Sequence, residues 1–320
     1  MKKRVNPELL PSLEALETFH DFDFKPENMP AIREQMAEME APSIIDENVR
    51  ITEENIMGLD ENDLKLRIYR LNSNEEALSP VLLWMHGGGY VLGTVEHDDQ
   101  LCTRIVNEVH CVVVSVDYRL APDHPYPAAI EDCYTALKWI ADNSESLQID
   151  RSKIGIAGAS AGGGLTAALS LLARDRNYPS LCFQMPLYPM IDDRNNTPSS
   201  SEIKEGFVWN QKANEAGWKM YLGELHGSGD IPPYAAAARA EDYSGLPFTY
   251  TCVGQLDPFR DESLTYVSKL AQAGVDVEFH LYPGAYHGFE RSNQNAEISK
   301  RAVNEYIQAV KFAFEKVNSK

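Results

Sequence analysis

The sequence predicts an α/β fold: a mostly parallel central sheet with helices on both faces and a helical cap. Three observations predict it. Short, continuous apolar runs ("VLLWMH", "CVVVSVDY", "KIGIAG", "LCFQMPLY", "FTYTCVG" and "VEFHLYP") recur between positions 81 and 283, and strands of this kind belong to sheets buried on both faces. Helical patterns such as "AAIEDCYTALKWIAD", "GGGLTAALSLLARD" and "DESLTYVSKLAQAG" separate most of them, the rhythm of a parallel sheet with crossover helices. One stretch, residues 190–232, breaks that rhythm. It is polar at first, then amphipathic with Trp209 and Trp218, and ends in Gly-rich turn signals. A long insertion in a compact α/β domain reads as a lid.

Taken in order, residues 1–45 have helical spacing in "PSLEALETF" and "PAIREQMAEMEA", each with Pro near its start, and read as a cap or an arm. "NVRITEENI" and "DLKLRIYRL" follow; their alternation predicts a half-exposed antiparallel pair. The apolar runs begin after Pro80. The chain has 320 residues, 43% apolar and 24% charged, enough for a sizeable core. Its net charge of −19 repels nucleic acid and anionic lipid, so neither is expected as a partner. No apolar run reaches membrane-spanning length. The basic start is broken by Asn6, Pro7, Glu8 and Pro11 and does not read as a signal peptide. Cys102, Cys111, Cys133, Cys182 and Cys252 are odd in number and form no CxxC. They read as buried reduced thiols and predict a cytoplasmic protein.

The Gly-rich turn in "IGIAGASAGGGLTAALSLLA", residues 154–173, allows two readings. Residues 162–167 fit G-x-G-x-x-A, a dinucleotide fingerprint. That motif should follow its strand directly in the first βαβ unit. Here "GASA" intervenes and earlier strands precede it. The other reading is G-x-S-x-G on Gly158, Ser160 and Gly162, with a strand leading in and a helix leading out. That context suits a nucleophile held on a strained turn, where flanking side chains would clash. Gly163 and Gly164 would let the helix pack closely.

A serine hydroxyl needs a base, and the base an orienting acid; in this architecture they follow the serine in the order acid, His. Of the three later histidines, His226 lies in the insertion and His280 within a strand, while His287 follows a strand in "YPGAYHGF". Asp257 ends the preceding strand; Asp261 and Glu262 read as charges in the first turn of the next helix. Donors for an oxyanion are expected from the N–H of Ala161 and from a Gly-rich loop after an early strand. "VLLWMHGGGYVLG" supplies His86, Gly87, Gly88, Gly89 and Tyr90 there. His86 precedes Ser160 and reads as a brace for the loop.

Together these motifs resemble the hormone-sensitive-lipase-like branch of the α/β-hydrolase superfamily, the bacterial family IV esterases, over residues 45–320. "HGGGY" is similar to the family's oxyanion loop, "DYRLAPDHPYPAAIED" to a family signature, and "GASAGGG", "DPFRDE" and "YHGF" to its elbow, acid and base loops. The resemblance implies an α/β-hydrolase fold, with a core of residues 46–189 and 233–320 and a cap of 1–45 and 190–232. It implies Ser160 as nucleophile, His287 as base and Asp257 as its carboxylate, with an oxyanion hole of Gly88, Gly89 and Ala161 supported by His86 and Gly87. It implies hydrolysis of short- to medium-chain acyl esters without metal or cofactor, and a homodimer through the sheet edge. An amidase or deacetylase on the same triad, or a non-catalytic small-molecule-binding relative, are the alternatives. Tyr90, Tyr188, Phe207 and Trp209 are candidates for the substrate pocket; Phe207 and Trp209, like Trp218 and Tyr221, fit equally well as the cap's own core. Asp117 and Arg119 are expected to tie their loop to the oxyanion loop. The family usually has an acidic residue before the nucleophile; here it is Ala159, which puts local rigidity in question.

Overall fold

The computed structural model describes residues 2–17, 22–39, 46–72, 77–204 and 208–317. Its sheet contains β1 (Val49–Met57), β2 (Asp63–Leu71), β3 (Ser79–Met85), β4 (Val112–Val116), β5 (Ile149–Ala159), β6 (Phe183–Leu187), β7 (Phe248–Leu256) and β8 (Val277–Tyr286). The spatial order is β1-β2-β4-β3-β5-β6-β7-β8. β1 pairs antiparallel with β2, from Val49 opposite Leu71 to Met57 opposite Asp63, and β2 pairs antiparallel with β4. From β4 to β8 every pairing is parallel. The helices are α1 (Leu10–Glu17), α2 (Met29–Met39), α3 (Asp99–Val109), α4 (Ala128–Asp142), α5 (Ala161–Asp175), α6 (Pro198–Glu202), α7 (Gln211–Leu222), α8 (Arg260–Gln272), α9 (Phe289–Ser292) and α10 (Glu297–Val317).

Alternation along the strands divides the core. Val81, Leu83, Met85, Val112, Val114, Ile154 and Ile156 face α4 and α5 in one cluster. Leu82, Trp84, Val113, Ala157, Phe183 and Met185 face α3 and α10 in another. This two-sided burial explains why these strands read as continuous apolar runs. Close approach of α5 uses small residues: a Cβ on Gly164 would lie 2.1 Å from the Met190 carbonyl oxygen and from the Tyr90 hydroxyl.

Residues 2–17 and 22–39 pack in different places. Val5, Leu9 and Leu13 are buried in the same cluster as α10 and β8, and Asn6 donates its N–H to Gly284 O at 2.9 Å. A four-residue apolar spacing gives this arm a stripe that fits the main core. α2 instead meets the loop after β3: Arg33 donates to Val91 O at 2.9 Å, Ala121 O at 2.7 Å and Asp123 Oδ2 at 2.7 Å. The five cysteines are free thiols, and Cys182 is half-buried rather than buried. Among the described residues, no helix is long and apolar enough to cross a membrane.

Candidate active site

The site forms at the carboxyl ends of β3, β5, β7 and β8. Ser160 stands between β5 and α5 with φ +58° and ψ −116°, a conformation L-residues rarely adopt and one associated with functional sites. Three backbone hydrogen bonds hold it: Ser160 donates its N–H to Leu187 O at 3.0 Å, and its carbonyl accepts from Met190 N–H at 3.0 Å and from Gly164 N–H at 2.9 Å. The flanking glycines answer a steric need. A Cβ on Gly162 would lie 2.0 Å from Met85 O, and one on Gly158 would lie 2.5 Å from both Gly162 O and Met85 O. The crowding comes from the end of β3 as much as from the turn itself.

Three side chains far apart in sequence meet here. Ser160 Oγ lies 2.8 Å from His287 Nε2, and His287 Nδ1 lies 2.8 Å from Asp257 Oδ2. The other carboxylate oxygen, Asp257 Oδ1, accepts the Phe259 N–H at 2.8 Å, so the carboxylate cannot swing. β8 runs on to Tyr286, with a register shift against β7 between Gly254 and Leu256, and delivers His287 directly from the strand end. His280 lies earlier on β8, between Glu278 and Glu305. His226 is exposed. Neither joins the site.

The loop after β3 brings its backbone to the same place. Gly88 stands at φ +122° and Gly89 at φ +62°, which only glycine adopts without strain. Among the described residues, the N–H groups of Gly88, Gly89 and Ala161 go to no hydrogen-bond acceptor. Three free donors around a nucleophile are what a developing oxyanion requires.

His86 braces this loop. Its Nδ1 lies 2.8 Å from Gly87 O, and its ring stacks on Tyr118 at 4.2 Å between centroids. Burial pushes the imidazole down to about 4, against the opposing pull of its bond to Gly87 O. A depressed histidine binds its proton more readily unfolded than folded, so stability falls as pH drops from about 6.5 to 4. From this group alone the protein is expected to be roughly 2 kcal/mol less stable near pH 5 than at neutrality. Urea unfolding at both pH values, with His86→Gln as reference, checks this; equal pH slopes in the two proteins would refute it.

Other sequence expectations need correction. Arg119 does not tie its loop to the oxyanion loop. Its guanidinium pairs with Asp132 at 2.8 Å and 2.9 Å and with Asp60 at 2.9 Å, while Asp117 faces Lys65 at 4.0 Å. The tie comes from Tyr118, whose hydroxyl donates to His86 O at 2.8 Å, and from Ala121, whose N–H donates to Tyr90 O at 3.0 Å. Tyr90 is buried: its ring stacks on Tyr221 at 3.9 Å, and its hydroxyl donates to Met190 O at 2.7 Å. Tyr188 is buried against His287. Trp218 and Tyr221 belong to the core under α7. Trp209 abuts the oxyanion loop; a Cβ on Gly89 would come within 2.3 Å of its ring. Its indole N–H donates to Asn214 at 3.2 Å, and its ring meets Phe24 edge-on. Phe207 lies outside the described residues.

Sequence reasoning missed Glu262. It is a buried carboxyl rather than a surface charge at the start of α8. Its Oε1 accepts the N–H groups of Ile191 and Asp192 at 2.9 and 3.3 Å, fixing where the insertion leaves the core. Burial holds its pKa well above the usual carboxylate range, with the two N–H bonds opposing. Nothing local in "DPFRDE" marks this, because the partners lie about seventy residues earlier in the chain.

A serine activated through such a relay, on a strand-to-helix turn of a parallel sheet, places the chain among the serine hydrolases built on this architecture. The family described as alpha/beta hydrolase fold matches residues 82–291. Esterase LipI of Mycobacterium tuberculosis is 40% identical over 67% of each chain, and Carboxylesterase NlhH of the same organism is 34% identical over 89% of this chain and 90% of its own. The solved structure titled Bacterial Heroin Esterase superposes with a TM-score of 0.90 at 36% identity, covering 98% of both chains. The chain belongs to the hormone-sensitive-lipase-like esterases of the α/β-hydrolase fold, and its enzyme class is carboxylic ester hydrolase.

Proposed function

We propose that this esterase cleaves soluble acyl esters of short to medium chain length through Ser160, His287 and Asp257. The observation that carries the assignment is the unbroken relay from Ser160 Oγ through His287 to Asp257, with both contacts at 2.8 Å. His287 Nε2 takes the Ser160 proton as Oγ bonds to the ester carbonyl carbon. The carbonyl electron pair moves to oxygen, which receives the N–H groups of Gly88, Gly89 and Ala161. As the tetrahedral intermediate collapses, the bond to the alcohol oxygen breaks and His287 returns the proton to that leaving group. Water then attacks the acyl-Ser160 with His287 again as base, releasing the acid and restoring Ser160. Asp257 fixes the imidazole tautomer throughout and stabilises the transient imidazolium. Residues 22–39 and 190–232 serve as the cap, with Trp209 as the wall nearest the oxyanion loop.

The test combines p-nitrophenyl esters from acetate to laurate with a fluorophosphonate label. Turnover is expected on acetate and butyrate and to fall away towards laurate, with the label on Ser160. Label on another residue, or hydrolysis undiminished in Ser160→Ala, would sink the assignment.

A further inference from the structure

Beside His287 lies a carboxyl that the relay leaves unused. Glu290, in α9, is 4% exposed. Its Oε1 accepts the hydroxyl of Tyr188, and its Oε2 is buried with no hydrogen-bond partner among the described residues. Tyr188 follows β6 at φ +33° and donates its N–H to Cys252 O at 2.8 Å. Its ring meets the His287 imidazole edge to face, with centroids 5.1 Å apart and planes at 80°. Phe259 meets the same imidazole at 5.0 Å and 89°. The imidazole therefore packs against two rings. Phe259 is held by its N–H bond to Asp257, and Tyr188 by Glu290.

We propose that Glu290 is a positioning residue for His287, acting in its neutral, protonated form by anchoring Tyr188 against the imidazole. The inference rests on the reading of Ser160, His287 and Asp257 given above. A carboxylate would leave Oε2 as a buried charge with no donor, which is costly. Burial pushes the Glu290 carboxyl upward, against the opposing pull of Tyr188. Groups that act on it electrostatically include Tyr188, Tyr286, His287, Arg291, Cys252 on β7 and Tyr306 on α10. Among these Arg291 is the fixed cation, and it donates to Asp98 Oδ1 at 2.6 Å and His97 O at 2.8 Å. Neutrality suits the base. A second carboxylate beside the imidazole would favour the imidazolium and delay the proton transfer from Ser160 to higher pH.

The experiment compares wild type with Glu290→Gln, Glu290→Ala, Tyr188→Phe, the Tyr188→Phe/Glu290→Ala pair and Ser160→Ala. It reads kcat and KM on p-nitrophenyl butyrate across the acid limb, with thermal melts as a record of folding. Glu290→Ala is expected to lower kcat about tenfold with KM within about threefold, the mark of misplacement rather than lost binding. Tyr188→Phe should act in the same direction, and the pair should lose no more than the worse single variant. Glu290→Gln, a neutral acceptor, should restore kcat to within about threefold of wild type and leave the acid-limb midpoint unmoved. A folded Glu290→Ala with kcat within about twofold of wild type, or additive losses in the pair, overturns positioning through Tyr188. If Glu290→Ala does not fold, Tyr188→Phe and Glu290→Gln decide the matter. An acid limb in Glu290→Gln displaced downward by about half a pH unit or more shows a carboxylate in wild type and overturns the neutral form. Wild-type hydrolysis that survives in Ser160→Ala overturns the site reading and the positioning role together, whereas the other outcomes strike only the role of Glu290.

Discussion

Asp257→Asn is expected to lower kcat by about 10⁴-fold while leaving the fold and KM nearly unchanged. The size follows from the fixed geometry of the carboxylate. Asp257 Oδ1 is committed to the Phe259 N–H at 2.8 Å, so an amide in its place keeps its oxygen there and turns its NH₂ towards His287. A donor facing Nδ1 selects the tautomer with the proton on Nε2. That nitrogen stands 2.8 Å from Ser160 Oγ and would then carry a proton where it must accept one. Circular dichroism should match wild type, which separates this effect from misfolding. A loss of less than about tenfold would mean that the carboxylate does not set the tautomer.

Gly162→Ala is the second large effect, and it reports on folding as well as chemistry. The added Cβ would lie 2.0 Å from Met85 O and 2.5 Å from His86 O, both backbone atoms at the end of a buried strand. Neither can move without shifting β3 or the oxyanion loop. The expected cost is about 3 kcal/mol of stability, with a further loss of about a hundredfold or more in kcat because Ser160 and the oxyanion donors shift relative to each other. Gly229→Ala is the control, since nothing among the described residues lies within 4 Å of its Cβ position, and it should leave both quantities near wild type. Urea denaturation and steady-state hydrolysis of the two variants decide the matter. Equal behaviour would show that the elbow tolerates a side chain.

Much of this site can be read from sequence because its parts are local patterns placed at strand ends. The steric demand behind Gly158 and Gly162, the three glycines after His86, and the order Ser160, Asp257, His287 each leave a short signature. The sheet reads well for a related reason: strands packed between helices must be apolar on both faces. What sequence hides is pairing across distance. Arg119 reads as a brace for its neighbouring loop, yet its partners Asp60 and Asp132 belong to the β1–β2 turn and to α4. Glu262 reads as a charge in the first turn of a helix, and only the fold shows it buried. The arm at residues 2–17 has ordinary amphipathic spacing, and spacing does not say which apolar surface will receive it. Asp63–Leu71 and Val49–Met57 pair antiparallel as predicted, although Val49–Met57 is exposed on both faces from Thr52 to Asn55.

α7 rests directly on the oxyanion loop. A Cβ on Gly217 would come within 3.1 Å of Gly89 O, and Trp209 occupies the space beside Gly89 itself. On the function proposed above, the segment that covers the site and the loop that would hold the oxyanion form a single mechanical unit. Under the proposed function, pocket shape and catalytic competence are then not independent traits. A covering segment grafted from a relative would have to bring its own small residue and its own aromatic wall to these two points. Otherwise a change meant to alter what the enzyme accepts would instead alter how well it reacts. On that reading, the covering segment and the oxyanion loop are a matched pair of surfaces, and a change in one calls for compensation in the other.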